Sequence, residues 1–422
     1  MAQLSDDCFA HGGKLMTVEE ALALIEARTA RVTGEETVAL DAALGRVLAE
    51  DLVAAFSVPA HDNSAVDGYA VYFDDLDPEA ETRLPIRGRA AAGHPLAGPQ
   101  ARGTAVRIFT GAAMPAGLDG EAPDTVMMQE DCRLEGDTVV IAPGIRRGSN
   151  RRLAGEDIRQ GETVLAAGRR LRPQDLGQAA AIGRRELAVA GRLRVALFST
   201  GDELREPGSP LPPGCIYDSN RHTLGGLLRG LGCAVTDLGI LEDREPAVRA
   251  ALAEAAGSHD LVITSGGVSV GEEDHVKAAV EALGRLHAWR LAIKPGRPIA
   301  LGQVGRVPLV GLPGNPVAVV VTFVTFVRPL ILRLAGAAPE PTPGFAVTAG
   351  FAHRKKRDRR EWLRASLDSE DGRLVARKFP RDGAGILSSI VESDGLVELP
   401  EDLTRLEPGT TVRFLPFSAL MS

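Results

Sequence analysis

At 422 residues the chain is too long for one ordinary hydrophobic core, and its length implies roughly two to four domains. Hydrophobic residues make up 44% and charged residues 25%, a balance that excludes a disordered polyelectrolyte. The net charge of −8 argues against a general affinity for nucleic acid.

The four cysteines, Cys8, Cys132, Cys215 and Cys233, form no C-x-x-C pair and have no closely spaced histidine. A zinc set is therefore not expected, and scattered thiols suit a reducing compartment. Residues 1–14 carry acids and no apolar core, so they do not read as a signal peptide. The longest apolar run, 317–327, is too short to span a bilayer. A cytoplasmic location is expected.

In chain order, residues 17–30 place Val18, Ala21, Leu22, Leu24 and Ile25 at helical spacing, with Thr17 and Glu20 set as a capping box. Residues 40–49 read as a second helix. From 85 to 143, short β-type runs at 105–109, 125–129 and 138–141 alternate with Gly and Pro, the texture of a small β domain. Residues 163–172 read as extended and 173–182 as a helix. From Arg192 the pattern becomes regular. Strands are expected at 193–199, 234–239, 260–264, 299–301 and 307–311. Helices are expected at 221–231, 245–256, 272–283 and 316–334. Alternating strands and helices predict a parallel sheet with crossover helices. After a Pro-rich linker at 339–343, runs at 345–348, 362–367, 374–378 and 395–399 predict a small β-barrel or β-sandwich. The fold class is multidomain α/β plus β.

In open parallel sheets, ligands bind beyond the carboxyl ends of the strands. The loops following these strands hold Thr200 to Glu203, Ile240 to Asp243, Ser265 to Asp274 and Leu312 to Pro316, and Lys294 to Pro298 lies near the fourth strand. Nearly all carry acids, glycines or cations. Ser265, Gly266 and Gly267, with Ser269 in the same loop, let backbone amides approach an anion, and the helix starting near Glu272 adds its positive end. No G-K-[ST] ending follows, so this is not a Walker A loop. Asp202, Glu203, Asp243 and Asp274 are hard-oxygen ligands suited to magnesium, with Asp243 and Asp274 the metal pair; acids at helix N-termini can also serve only as caps, the reading given to Glu272 and Glu273. Lys294 and Arg297, with Arg290 before them, suit a phosphate or oxyanion. Asn315 is placed as a helix N-cap, with Pro316 at the first helical position. Residues 59–70 and 150–158 read as loops on composition, and the basic run 353–360 as a solvated turn.

The stretches PAHDNSAVDGYAV, VRIFTGAAMP, NRRLAGEDI, LRVALFSTGDEL, YDSNRHTL, DLVITSGGVSVGEEDHVK, WRLAIKPGRPIALG and VGLPGNPVAVVVTF together resemble the molybdopterin molybdenumtransferase (molybdenum insertase) family, which includes the C-terminal enzyme domain of gephyrin. The resemblance spans residues 17–417. It implies four regions: an elongated N-terminal domain from 1–58 plus 151–191, a β-rich insertion at 59–150, an α/β molybdopterin-binding domain at 192–338 like that of the adenylyltransferases, and a C-terminal β-barrel at 339–422. It implies a homodimer with the active site between subunits, insertion of molybdate into adenylylated molybdopterin with Mg2+, and a possible partnership with the adenylyltransferase. It places catalytic roles on Asp67, Thr110, Asp157 and Glu203, substrate contacts on Arg152, Lys294, Pro313 and Pro316, and metal ligation on Asp243 and Asp274. Arg290 and Arg297 stand where relatives carry lysine, and Ala384 where a relative carries serine. Two other functions stay open at this point. A molybdopterin adenylyltransferase would need only residues 192–336, and a non-catalytic scaffold would need no acids or cations in the strand-end loops.

Overall fold

In the computed structural model, which describes residues 15–118, 120–266 and 275–421, the first helix starts where its sequence demands. Thr17 N donates to Glu20 Oε2 at 2.8 Å and Glu20 N donates to Thr17 Oγ1 at 3.2 Å, so the capping box closes and the helix Val18–Arg28 buries Val18, Ala21 and Ile25. The second expected helix does not form. Only the 3-10 turn Leu40–Ala42 is helical; Gly45 then takes φ +72°, and Leu48 N donates to Arg169 O at 2.9 Å. A left-handed glycine ends the helical turn, and the adjacent apolar pair Val47 and Leu48 bridges Arg170 and Val189 as extended chain.

The chain divides into two compact units, Met1–Glu50 with Ala167–Arg172 and Leu187–Ser422, and Asp51–Ala166 with Pro173–Glu186. The larger unit holds a six-stranded sheet in the order Ala234–Leu241, Arg194–Thr200, Leu261–Ser265, Val307–Leu312, Pro298–Val304 and Gly284–Arg290. Val195 and Leu197 face the helices Asn220–Gly230 and Pro316–Thr322, while Ala196 and Phe198 face the helices Glu245–Ser258 and His275–Leu283. This period-two alternation buries both faces, which is why the strand reads as a continuous apolar run. The first four strands are parallel, but the last three pair antiparallel, which corrects the all-parallel expectation. Gly305 and Arg306 form the whole connection between Pro298–Val304 and Val307–Leu312; two residues make a hairpin and cannot make a parallel crossover. The added edge strand Gly284–Arg290 was hidden by its polar Arg285 and His287. At the other edge, Leu197 pairs with Asp237 but Ser199 with Ile240, a bulge with Gly239 at φ +78°.

Behind the sheet, the expected long helix forms as Pro316–Thr322, a π-helical turn Phe323–Val327 and Arg328–Leu334. Its 19 residues are long and apolar enough to cross a bilayer, more than the eleven-residue run suggested, yet 78% of its most apolar window is buried inside the protein.

Five strands then close a barrel. The ring runs Arg360–Glu370, Arg373–Lys378, Phe345–Ala349, Thr411–Pro416 and Gly395–Leu399, which returns to Arg360–Glu370. Ring closure decides for a barrel over a sandwich, and the strand Thr411–Pro416 was not anticipated. The two-residue strand Ile293–Lys294 adds in parallel to Arg360 and Glu361, stitching the K-P-G loop of the α/β region to the barrel.

The smaller unit is built on the sheet Thr125–Met128, Gly68–Val71, Ala105–Ile108, Thr82–Ala90, Thr138–Ile141 and Cys132–Glu135. A Cβ on Gly68 would lie 1.7 Å from Met127 O, so only glycine permits that pairing. Residues 59–70 and 150–158 are not merely loops, because Asn63–Ser64 pairs antiparallel with Arg151–Arg152.

Phe198 has no exposed surface in the centre of the α/β sheet. Phe198→Ala is expected to lower the urea-unfolding free energy by about 3–5 kcal/mol, the transfer and cavity cost of a buried phenyl ring.

Candidate active site

Three parallel strands end side by side at Thr200, Ser265 and Leu312. Gly266 turns at φ +88°, where an added Cβ would approach Thr200 O to 2.7 Å, and its N–H donates to Leu312 O at 3.1 Å. Ser265 Oγ accepts from Asn220 Nδ2 at 2.9 Å and lies 3.4 Å from Pro313 O, to which it donates. Asn220 Nδ2 also donates to Gly314 O at 2.7 Å. Asn220 is held by its neighbour Arg221, which is buried and paired to Asp218 at 3.0 Å and Asp237 at 2.6 Å. Thr200 Oγ1 donates to Asp243 Oδ1 at 3.0 Å. Glu203 folds back over Gly201, whose Cβ would lie 2.6 Å from Glu203 Oε2. Ser265, Gly266, Asp243, Glu203 and Pro313 thus share one end of the sheet. Gly267, Ser269 and Asp274 lie outside the described residues, and the described helix there begins at His275.

Asn315 occupies the N-cap position and Pro316 the first helical position, but the Asn315 side chain makes no capping bond. Val317 N instead donates to Ala384 O at 2.9 Å, so a barrel loop caps this helix and the expected role of the Asn315 side chain is corrected. The amide is exposed at the edge of a cavity of about 310 Å³. Lys294, Pro313, Arg364 and Asp382 also line it.

Lys294 Nζ donates to Glu361 Oε1 at 2.5 Å, and His353 Nε2 lies 3.4 Å from the same oxygen. Glu361 is fully buried, and Arg359 stands 3.7 Å from its other oxygen. Burial alone would raise the Glu361 pKa; hydrogen bonds and charge from His353 and Lys294 outweigh it and bring the carboxyl down to about 2. The run 353–360 is therefore not simply a solvated turn. Lys355 is buried, and its Nζ donates to the carbonyls of Arg359 at 2.7 Å and Glu401 at 3.2 Å. Arg290 and Arg297 are exposed and adjacent, with Leu291 N donating to Arg297 O at 2.9 Å.

Arg364 was missed. It is buried, donates through Nε to Ser389 Oγ at 3.0 Å, and reaches the carbonyls of Arg381 at 3.2 Å and Gly383 at 3.3 Å through Nη2. Burial lowers its pKa and Asp382 opposes that shift. The available signal was the charge itself, since Arg364 interrupts the apolar stretch 362–367, where charges are rarely buried without a partner or a purpose.

In the smaller unit, Thr110 donates to Asp67 Oδ1 through both its N–H and its hydroxyl at 2.8 Å. The Thr110 amide, then its hydroxyl, hold the Asp67 carboxyl below the ordinary aspartate range. Arg152 is exposed opposite Asn63, and Asp157 N donates to Val58 O at 3.1 Å. Ala154 N donates to Asp62 Oδ1 at 2.8 Å, closing the 150–158 segment onto 58–64. Asp67 and Thr110 are in direct contact; Arg152 and Asp157 share this second segment. Among the described residues, no group of three or more His, Cys, Asp or Glu side chains is arranged to hold a metal ion.

Residues 16–183 match the family described as MoeA N-terminal region (domain I and II), 196–333 a probable molybdopterin binding domain, and 346–417 the MoeA C-terminal region (domain IV). A molybdopterin molybdenumtransferase of Haemophilus influenzae is 38% identical over 410 residues, covering 96% of this chain and 100% of the relative. Molybdopterin molybdenumtransferase 2 of Mycobacterium tuberculosis is 36% identical, covering 89% and 94%. The crystal structure of the molybdopterin biosynthesis moeA protein from Pyrococcus horikoshii OT3 superposes with a TM-score of 0.78 at 29% identity, over 95% of this chain and 99% of that one.

Because the folded pKa of Glu361 lies below that of an ordinary glutamate, about 4.5, its contribution to stability is present above that value and is lost as pH falls towards about 2. The shift corresponds to about 3 kcal/mol. Urea unfolding measured from pH 6 to pH 2 should show a steep acid loss of stability in the wild type and a flatter one in Glu361→Gln.

Proposed function

The chain belongs to the molybdopterin molybdenumtransferase family, and on that premise we propose that it inserts molybdate into adenylylated molybdopterin, with magnesium-assisted cleavage of the adenylate to give molybdenum cofactor and AMP. One observation carries this reading. The loop holding Pro313 and Asn315 is shared by two places suited to anions: the strand-end turn at Ser265 and Gly266, and the cavity of Lys294 and Arg364. A substrate phosphate suits the first, where glycine backbone comes close without a side chain in the way. A tetrahedral dianion suits the second, where a half-exposed ammonium and a buried guanidinium face one space. Arg290 and Arg297 add positive charge on the loop that carries Lys294.

Gly267, Ser269 and Asp274 are proposed to extend the phosphate site. Magnesium commonly takes one or two carboxylates and completes its shell with water and phosphate oxygens. Asp243, with only one oxygen taken up by Thr200 among the described residues, fits such a site, and Asp274 is proposed as its second carboxylate. Bound there, the ion would offset the negative charge of the phosphates. Asp67, held in place by the two Thr110 hydrogen bonds, is proposed to accept a proton or orient water. Glu203 and Asp157 are proposed in the same capacity, and Arg152 as a substrate contact. Cys132 and Cys233 are poor candidates for metal ligands. Burial pushes the Cys132 thiol up to about 11 and the Cys233 thiol up to about 12, so neither is a ready thiolate, whereas the pterin brings its own dithiolene sulfurs.

The assembly proposed is a cytoplasmic homodimer. Asp67, Thr110, Arg152 and Asp157 of one subunit would serve the α/β domain of the other, and the adenylyltransferase would deliver substrate. The domain limits proposed are 1–58 plus 151–191, 59–150, 192–338 and 339–422; the resemblance of the motifs supports both.

The test is AMP release from adenylylated molybdopterin and magnesium, with and without molybdate. Release should require molybdate. Lys294→Ala and Arg364→Ala should raise the molybdate concentration needed by about tenfold or more, as expected for loss of a charged hydrogen-bonding partner; Asp243→Ala should instead raise the magnesium needed. Release indifferent to molybdate would overturn the insertase reading. Formation of adenylylated pterin from ATP would favour an adenylyltransferase.

A further inference from the structure

Asp67 sits on a turn whose backbone is held from behind. Its carbonyl accepts from Gln129 N at 3.0 Å, and the next carbonyl, Gly68 O, accepts from Arg107 Nη1 at 3.1 Å. Arg107 Nη2 donates to Gln129 Oε1, so the same guanidinium holds the residue that holds Asp67. The guanidinium also lies over two rings, 5.0 Å from the centroid of Tyr69 and 4.7 Å from that of Phe109. Phe109 takes Arg89 as well, at 4.5 Å. Phe109 immediately precedes Thr110, which donates twice to Asp67. Arg107 is thus joined to both sides of the carboxylate: through Gly68 and Gln129 to its main chain, and through Phe109 to its hydrogen-bond donor.

We propose that Arg107 is a positioning residue that sets the orientation of the Asp67 carboxylate for the insertion reaction. The inference rests on the reading that Asp67 belongs to the site. A planar fork reaches two acceptors on separate segments while its face packs on aromatic rings; an ammonium cannot do both. The charged groups on the elements packed around the Asp67 turn and its Thr110 donor are Arg107 itself, on Ala105–Ile108, Arg89, on Thr82–Ala90, which shares the Phe109 ring, and Glu130 and Asp131, on the turn Gln129–Asp131. Arg107 is the cation whose field favours ionised Asp67.

A purely structural arginine would affect melting and nothing else. The experiment therefore follows the Asp67 side-chain carboxyl by carbon-detected NMR titration, assigned with Asp67→Asn, alongside kcat and KM for AMP release in the full-length protein. Arg107→Met should raise the Asp67 titration midpoint and lower kcat by about tenfold to a hundredfold, the range for a displaced reacting group, with little change in KM. Arg107→Lys should keep the midpoint near wild type, because charge remains, and restore only part of kcat. Arg133→Met, which removes ion pairs to Glu81 and Glu135 elsewhere in the same sheet, should leave both readouts unchanged. An unaltered midpoint and kcat in Arg107→Met would overturn the proposal. If Asp67→Asn is inactive while Arg107→Met is not, this proposal alone fails; if Asp67→Asn is fully active, the reading of Asp67 as a site residue fails with it. Should Arg107→Met fold poorly, Gln129→Ala removes the link between Arg107 and the Asp67 carbonyl, and unaltered kcat there would equally overturn the inference.

Discussion

Burying a carboxylate away from water costs several kcal/mol unless cations and hydrogen bonds meet it. Glu361 sits in that position, and much of the larger unit is arranged around the need. Lys294 comes to it from the α/β region, His353 and Arg359 from the barrel. Lys294 can arrive only because its loop is placed closely. Gly296 lies where a Cβ would come within 2.4 Å of Thr322 Cγ2 on the central helix, and Ile293–Lys294 joins the barrel strand as an extra rung. One ion-pair cluster thus ties the K-P-G loop to the barrel strand that lines the cavity. The ammonium that neutralises Glu361 also faces the cavity, so structural anchoring and the proposed anion contact draw on the same side chain.

The two anion-suited places use different physics. At Ser265 and Gly266 the proposed phosphate contact relies on the close approach that glycine permits, the Gly266 amide itself being taken by Leu312 O. In the cavity the proposed attraction comes from full charges, partly balanced by Glu361 and by Asp382, which pairs with Lys378 at 2.8 Å. The Pro313 to Asn315 segment borders both.

Much of the fold was legible because its signals were local. Period-two burial in Arg194–Thr200, the Thr17 to Glu20 capping box and the Pro after Asn315 each act within a few residues. The strand-end loops followed, since parallel strands put their carboxyl ends together. What escaped depended on distant partners. Nothing near Val317 announces that Ala384 will cap it, and nothing near Glu361 announces Lys294. The helix expected at residues 40–49 failed because tertiary pairing with 169–171 and a left-handed Gly45 overrode an apolar pattern. The antiparallel hairpin through Gly305 was in principle readable from its two-residue length. Arg364 was readable only as an anomaly of charge in a buried strand.

The bulge at Gly239 bears on how such a sheet survives in a crowded cell. The edge strand Ala234–Leu241 has one row of backbone groups without a neighbouring strand, the template on which a stranger's strand could add. An extra residue there spoils the regular spacing that a newcomer would need, and Asp237 places charge beside it. The opposite edge carries Arg285, His287 and Arg290 along Gly284–Arg290. Both flanks of the sheet are therefore poor seeds for intermolecular β-pairing.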